Sequence, residues 1–508
     1  MEHFDVLIIG AGLSGIGAGA RFRMDCPGKT FAILEGRERS GGTWDLFRYP
    51  GVRSDSDMYT LGYRFRPWND TKALADGQSI LNYIRETATD YDLDNEIRYG
   101  HRLTRAEWSS DDSRWTVIAE VGQNLPQSRE DAKEDANAGN EIGEPQPGTV
   151  IFTCGFLYLC TGYYEYEQGY TPDWASLGEF KGTVVHPQFW PEGLDYANKI
   201  VVVIGSGATA VTLVPAMAET AEHVTMLQRS PTYIVSMAAE DKIANFIRKL
   251  MPDKAAYAVS RWKNIVRQAF FYKFSKKFPA AVKRLIDKGV RKELGEVDPQ
   301  EHFTPNYDPW DQRICVVPDG DLFKSMSRGR ASVVTGNIES FNENGVRLTS
   351  GDQLDADIIV TATGLKLKIM AGLALVVDGE VVDLSTKMTY KGMMYNDVPN
   401  LAQAFGYTNA SWTLKCDLTS EYVCRILNYM DANGFASCRA TINDPGVERI
   451  PVLDFKSTYI VRELDKLPSQ GSKHPWRLHQ NYFKDLSMLR YSRLDDGTLM
   501  FEKATDSL

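Results

Sequence analysis

The feature that most limits what this chain can fold into is a short plan that occurs twice. Residues 4–35 read as an apolar strand (FDVLIIG), a glycine-rich turn, a helix running through Arg23 and a second strand, TFAILE. Residues 198–230 repeat it as KIVVVIG, SGATA, a helix through Ala218 and HVTMLQR. The strands are unbroken apolar runs, as strands covered on both faces must be, and each is followed by a helix. Alternation of this kind predicts an α/β fold with parallel sheets.

The turns say what those sheets hold. The first is Gly10-x-Gly12-x-x-Gly15. A pyrophosphate needs close approach to backbone N–H groups: Gly10 permits the tight turn, Gly12 admits the phosphates, and Gly15 lets helix and strand pack. Glu35 ends the next strand, where a carboxylate accepts hydrogen bonds from a ribose diol. The second turn is Gly205-Ser206-Gly207-Ala208-Thr209-Ala210, and its following strand ends in Gln228-Arg229-Ser230 with no carboxylate. A carboxylate would repel a 2′-phosphate, whereas Arg229 offers it a planar fork. The pair predicts two Rossmann-like dinucleotide-binding domains, with NADPH rather than NADH in the second.

The formal net charge of −10 argues against a general nucleic-acid binder. The seven cysteines are irregularly spaced and include no C-x-x-C or C-x-x-x-x-C, so neither a zinc site nor the redox pair of a disulfide reductase is expected. The seven histidines form no metal-binding motif, and no metal is expected. No signal peptide and no apolar run of membrane-spanning length is apparent, which predicts a cytoplasmic protein.

Two segments depart in composition. Residues 126–148 carry six carboxylates against two basic residues and are rich in Pro, Gly, Asn and Ala; they read as a solvated loop or hairpin tip. Residues 241–292 carry fifteen Lys or Arg against three Asp, interleaved at helical spacing with Phe246, Trp262, Phe270, Phe271 and Phe278. This predicts a helical insertion with a solvated basic face, and little or no membrane binding beyond weak peripheral contact.

Between the two units lies Phe180-x-Gly182-x-x-x-His186-x-x-x-Trp190-Pro191. No general physics demands that spacing. It resembles the fingerprint of the flavin-containing and class B Baeyer–Villiger monooxygenases. The same resemblance is carried by Gly41-Gly42-Thr43-Trp44-Asp45, by Arg48 to Asp55, by Cys160-Thr161-Gly162 and Ala362-Thr363-Gly364, and by Tyr307 to Arg313. The runs SDSDMYTLGYRFRPW, VTMLQRSPTYIVS, GYTNASWTLK and PWRLHQNY are similar to the ethionamide-activating subgroup, and the likeness covers essentially the whole chain apart from the acidic stretch.

The resemblance implies FAD and NADPH as cofactors. It implies O2 and a small ketone or sulfur compound as substrates, with an ester or lactone as the product of a ketone. It points to Arg313, Asp55 and His186 as catalytic: Arg313 as the always-charged guanidinium that stabilises a developing oxygen anion, Asp55 as its orienting partner, and His186 through the domain junction rather than by touching the carbonyl. Ser14, Thr43, Trp44, Asp45, Leu46, Arg53, Ser54, Asp55 and Leu103 join Gly10, Gly12, Gly15 and Glu35 as cofactor contacts. Trp476 resembles the tryptophan of a loop that closes over NADP. Gln312 stands where many relatives carry a lysine for the 2′-phosphate, which leaves more of that recognition to Arg229.

The expected organisation is an FAD domain of residues 1–160 and 365–508, an NADP domain of 161–235 and 300–364, and a basic helical insertion at 236–299. Two chemistries stay open on the residues: Baeyer–Villiger oxidation of ketones with sulfide or thioamide oxidation beside it, or oxidation of a sulfur or nitrogen nucleophile as the main reaction. A non-catalytic, membrane-peripheral module built on the basic segment is the remaining contrast; the two intact glycine turns and Arg313 speak against it.

Overall fold

The computed structural model describes residues 1–122, 148–295, 300–312, 314–452 and 466–504. Arg313 and all but the last residue of the acidic stretch lie outside them.

Both glycine turns are followed by the expected helices, Leu13–Asp25 and Ala208–Met217. The first unit sits in a nine-stranded mixed sheet in which Glu2–Ile9 lies between Phe31–Leu34 and Thr149–Leu159, parallel to both. Thr149–Leu159 is long enough to serve two partners on its other edge. Trp115 to Glu120 pair antiparallel with its first half, while Leu401–Gln403 runs parallel to its end. The chain therefore returns to the first sheet after leaving it. Trp108 and Trp115 pack 5.6 Å apart in the core under the antiparallel strands.

The second unit builds a separate five-stranded sheet, all parallel, in the order Ala331–Thr335, His223–Gln228, Ile200–Ile204, Ile358–Thr361 and Thr183–Val185. Val201, Val202 and Val203 are fully buried, as an apolar run covered on both faces requires. An antiparallel ribbon of Tyr164–Gly169 and Leu365–Leu367 joins the chain segments that leave and re-enter the first sheet.

The basic segment is helical: Lys242–Leu250, Asp253–Lys277 and Pro279–Leu294. The long middle helix docks on residues 57–63 through polar side chains. Arg261 is buried and donates to the carbonyls of Tyr59 and Gly62, each at 2.7 Å. The Tyr257 hydroxyl donates to the Tyr63 carbonyl at 2.9 Å, and Asn264 donates to Asp57 at 2.9 Å. The packed face of this helix is thus largely polar, while Lys254, Lys273, Lys276 and Lys277 stay exposed, as a solvated basic face requires.

Trp476, expected over NADP, is buried in the core beside Tyr390, ring centroids 5.7 Å apart, and does not line the cleft described below.

Arg261→Met keeps the apolar stem but leaves two buried carbonyls without their donor. Urea denaturation should show a loss of about 2–3 kcal/mol in unfolding free energy. A change within about 0.5 kcal/mol, the range of an ordinary surface substitution, would mean that the anchor is redundant.

Candidate functional site

The two glycine turns face one cleft. Gly12 and Ser14 open onto it from the first unit, Ala208 and Thr209 from the second. Its volume is about 2580 Å³, open mouth included. Without the open mouth it is about 600 Å³, inside the range of roughly 300–1,000 Å³ usual for ligand pockets.

The first turn is a cradle that side chains would fill. A Cβ on Gly15 would lie 1.8 Å from the Gly10 carbonyl oxygen, and one on Gly10, whose φ is +101°, would lie 2.8 Å from that of Cys160. The Gly41-Gly42 loop closes against it: Gly41 N–H donates to the Ala11 carbonyl at 2.9 Å, and a Cβ on Gly42 would sit 3.0 Å from Gly12 Cα. Neither Gly12 nor Gly207 caps its helix with a side chain, so both leave first-turn N–H groups for an anion. Around Gly207 a Cβ would meet nothing within 4 Å, which leaves the backbone open to a ligand. These features fit two bound dinucleotides.

Glu35 is buried at the end of its strand. It accepts from Ala11 N–H at 2.7 Å and Arg37 N–H at 3.0 Å. Burial pushes its carboxyl up, against the pull of those two donors. Each oxygen keeps a second lone pair for a diol. Leu103 packs in the core of the first sheet rather than in the cleft; its strand meets the end of the Glu35 strand through His101 N–H to the Glu35 carbonyl at 2.9 Å.

Thr43–Leu46 forms one helical turn, from which Thr43 and Trp44 line the cleft. Asp45 does not: it turns inward, where Arg37 and Arg85 hold it at 2.6 and 2.8 Å. Arg48 at 3.5 Å and Arg39 at 3.8 Å complete a ring of four guanidinium groups around one carboxylate. Leu46 is half-buried and stays off the cleft wall.

The loop carrying Arg53, Ser54 and Asp55 does reach the cleft. Arg53 is engaged by Asp321 at 2.5 Å, and Asp55 is exposed. Trp310 and Ile314, on either side of the undescribed Arg313, line the same cleft. The second cofactor turn is built as expected at Gly205 and Ala210, the latter fully buried. Ser206 is tied to Thr232 at 2.9 Å, and Ser230 accepts from Ser206 at 3.3 Å. Arg229 is exposed beyond its strand end.

His186 is not on the cleft. It sits at the ribbon between the sheets, where a Cβ on Gly169 would come within 2.1 Å of its ring. Nδ1 accepts from the Gln188 N–H at 3.2 Å, which puts the proton of the neutral ring on Nε2. Nε2 is buried without a hydrogen-bond partner. Burial lowers the pKa below the ordinary 6.5; the nearby backbone of Gly364 and Tyr170 opposes this only in part. His186, expected among the catalytic residues, thus stands at the junction between the sheets and away from the cleft wall.

Sequence reasoning did not single out several cleft residues. Trp412 stacks on Tyr163, centroids 4.9 Å apart, and donates to Ser14 Oγ at 2.9 Å. Arg267, Gln268 and Phe271 enter from the basic insertion, and Gln268 donates to buried Asp57 at 2.8 Å. The i, i+1, i+4 spacing of 267, 268 and 271 marked a shared helix side, but nothing local said what that side meets.

A family model described as flavin-binding monooxygenase-like matches residues 146–370, and one described as an NAD(P)-binding Rossmann-like domain matches residues 8–74. The chain is similar to the FAD-containing monooxygenase EthA of Mycobacterium tuberculosis, 50% identical over 506 residues, spanning 99% of this chain and 98% of that protein. Among solved structures it is similar to OTEMO in complex with FAD and NADP, with a TM-score of 0.71 at 20% identity over 98% of this chain and 99% of the other. It is also similar to cyclohexanone monooxygenase bound to ε-caprolactone, with a TM-score of 0.69 at 19% identity over 87% and 90%. The structural likenesses establish the two-domain fold.

The half-buried, neutral His186 gives a pH signature. Its folded pKa lies below the unfolded 6.5, so the unfolded chain binds the proton more readily as pH falls. The stabilisation is complete above pH 6.5 and is lost as pH drops through the folded value. The difference in thermal midpoint between the protein and His186→Gln should therefore shrink in acid. A difference that stays constant through this range would rule out a half-buried neutral imidazole.

Proposed function

The chain belongs to the family of FAD-containing monooxygenases, and from that premise we propose that it is an NADPH-dependent Baeyer–Villiger enzyme. It would insert one oxygen atom of O2 beside a ketone carbonyl to give an ester or lactone, with sulfides or thioamides as further substrates. The observation that carries the reading is the shared cleft: both glycine turns, the Arg53–Asp55 loop and the residues flanking Arg313 open onto it. The ketone and lactone named for the cyclohexanone monooxygenase of the same fold support that substrate class.

We assign residues 1–160 and 365–508 to FAD, 161–235 and 300–364 to NADPH, and 236–299 to the insertion. FAD would be held by the Gly10–Gly15 turn, Glu35 and the Thr43–Trp44 loop, and NADPH by Gly207, Ala208, Thr209 and Arg229. When bound, the pair supplies the two electrons that let O2 give one atom to substrate and one to water. The chain's own work is to place and protect. First-turn N–H groups bind phosphate. Trp412 and Tyr163 give the cleft an apolar wall that excludes water. The Arg313 guanidinium would stabilise negative charge developing on oxygen, with Asp55 as its orienting partner. We place the enzyme in the cytoplasm, where buried cysteines such as Cys154 and Cys438 stay reduced.

Arg313→Ala should still bind FAD, since both glycine turns are untouched, and should still oxidise NADPH. It should make no ester, because loss of a preorganised charge at an oxyanion costs about 3–4 kcal/mol; the electrons should appear as hydrogen peroxide. Near wild-type ester formation from a panel of linear and cyclic ketones would overturn the role of Arg313. A panel in which only sulfides turn over would overturn the ketone reading.

Arg229→Ala tests the cofactor assignment separately. The Michaelis constant for NADPH should rise about ten- to a hundredfold, the worth of one charge-assisted contact, while that for NADH barely moves. Equal weakening of both would remove Arg229 from the 2′-phosphate site.

A further inference from the structure

The helical insertion buries one face and leaves a second, strongly apolar face in water. Helix Lys242–Leu250 exposes Ile243, Phe246 and Leu250, at 61%, 61% and 69%. Helix Asp253–Lys277 exposes Val259, Trp262, Val266 and Phe270, opposite the side that carries Tyr257, Arg261 and Asn264. Steps of three and four residues put each set on a single stripe. The apolar surface runs on beyond the insertion, because Trp262 lies 6.3 Å from the ring of Phe483, itself exposed. Isolated exposed apolar residues need no explanation, but two such stripes on helices that pack against each other mark a contact surface.

Charge decides the kind of surface. Lys242, Lys249, Lys254, Lys273 and Lys277 are exposed on the same two helices and enter no ion pair among the described residues. Residues 241–292 carry fifteen basic residues against three Asp in a chain whose net charge is −10. A second copy meeting this face symmetrically would set that excess positive charge against itself. A lipid bilayer with anionic headgroups accepts both features at once: acyl chains take the aromatic and aliphatic side chains, and headgroup phosphates take the flanking lysines. Among the described residues no helix is long and apolar enough to cross a membrane, so the contact lies in the interface plane.

We propose that the stripe formed by Ile243, Phe246, Leu250, Trp262 and Phe270, with its flanking lysines, docks this protein on an anionic membrane surface. This reverses the expectation drawn from sequence. The solvated basic face expected from the sequence is present, but Trp262 and Phe270 stand exposed beside it while Tyr257, Arg261 and Asn264 turn inward.

The test uses full-length, FAD-loaded protein and vesicles of phosphatidylcholine alone or mixed equally with phosphatidylglycerol. Protein should sediment with the mixed vesicles at low salt and far less with phosphatidylcholine. Phe246→Ser/Leu250→Ser and, separately, Lys249→Glu/Lys254→Glu should each weaken binding about tenfold or more. Neither pair touches the cleft, so flavin content and NADPH oxidation should match the parent and show that the variants are folded. Absence of binding to the mixed vesicles would overturn the proposal. So would binding that salt abolishes but the serine pair leaves unchanged, since charge alone would then explain it. A vesicle-free dimer that the serine pair converts to monomer, with no vesicle binding, would assign the stripe to self-association instead.

Discussion

At each of the two glycine turns, a backbone carbonyl from a crossing segment occupies the space a side chain would need. At Gly10 the carbonyl belongs to Cys160; at Gly205 it belongs to Ala362, whose oxygen would lie 2.2 Å from a Cβ. Both partners begin the short segments through which the chain passes between the two sheets. The requirement for glycine is therefore double. The positive φ values of +101° and +137° shape the turns, and the missing side chains let the crossovers run directly over them. A phosphate-binding turn and a domain crossover are thereby made one structural object, twice.

That coupling explains why His186 matters without reaching the cleft. The ribbon of Tyr164–Gly169 and Leu365–Leu367 continues from those crossovers, and Tyr170 N–H donates to the Gly364 carbonyl at 3.1 Å. The imidazole fills the space beside Gly169, while Gly182 of the same motif is pressed against the Asp357 carbonyl at the edge strand of the second sheet, 2.3 Å from its would-be Cβ. The motif thus packs the ribbon on one side and the NADP-type sheet on the other. It stands at the junction between the two cofactor turns, and a reaction between two bound cofactors depends on how those turns are oriented.

Much of this was legible in the sequence because its signals are local. An apolar run, a glycine spacing and a following helix lie within about thirty residues, the size of one βαβ unit, and the same forces act in every protein that uses them. What was not legible depended on partners far along the chain. Asp45 looks like a ligand-facing residue of a glycine-rich loop, yet Arg85, forty positions on, helps to draw it inward. Trp476 sits in a segment whose likeness to relatives suggested a mobile cover, but its ring is buried against Tyr390, where a large apolar side chain is more stable. Arg53 answers to Asp321, on the far side of the second sheet's sequence.

The insertion is the sharpest instance, and its inversion has a physical cause. Periodicity tells which residues share a helix face; it does not tell which face meets the rest of the protein. Normally the apolar face is buried, because water supplies the only competing environment. Here the surface presented by residues 57–63 is a row of backbone carbonyls and the Asp57 carboxylate, which burial would leave unsatisfied. Arg261, Asn264 and Gln268 satisfy them, so the polar face is the one that docks. The apolar residues are then left outward by geometry, since one helix cannot turn both faces to the same neighbour. Gln268, at the end of that polar face, and Phe271 on its flank wall the cleft. One helix therefore has three environments: protein carbonyls, the cofactor cleft, and the outer surface on which Trp262 and Phe270 stand exposed.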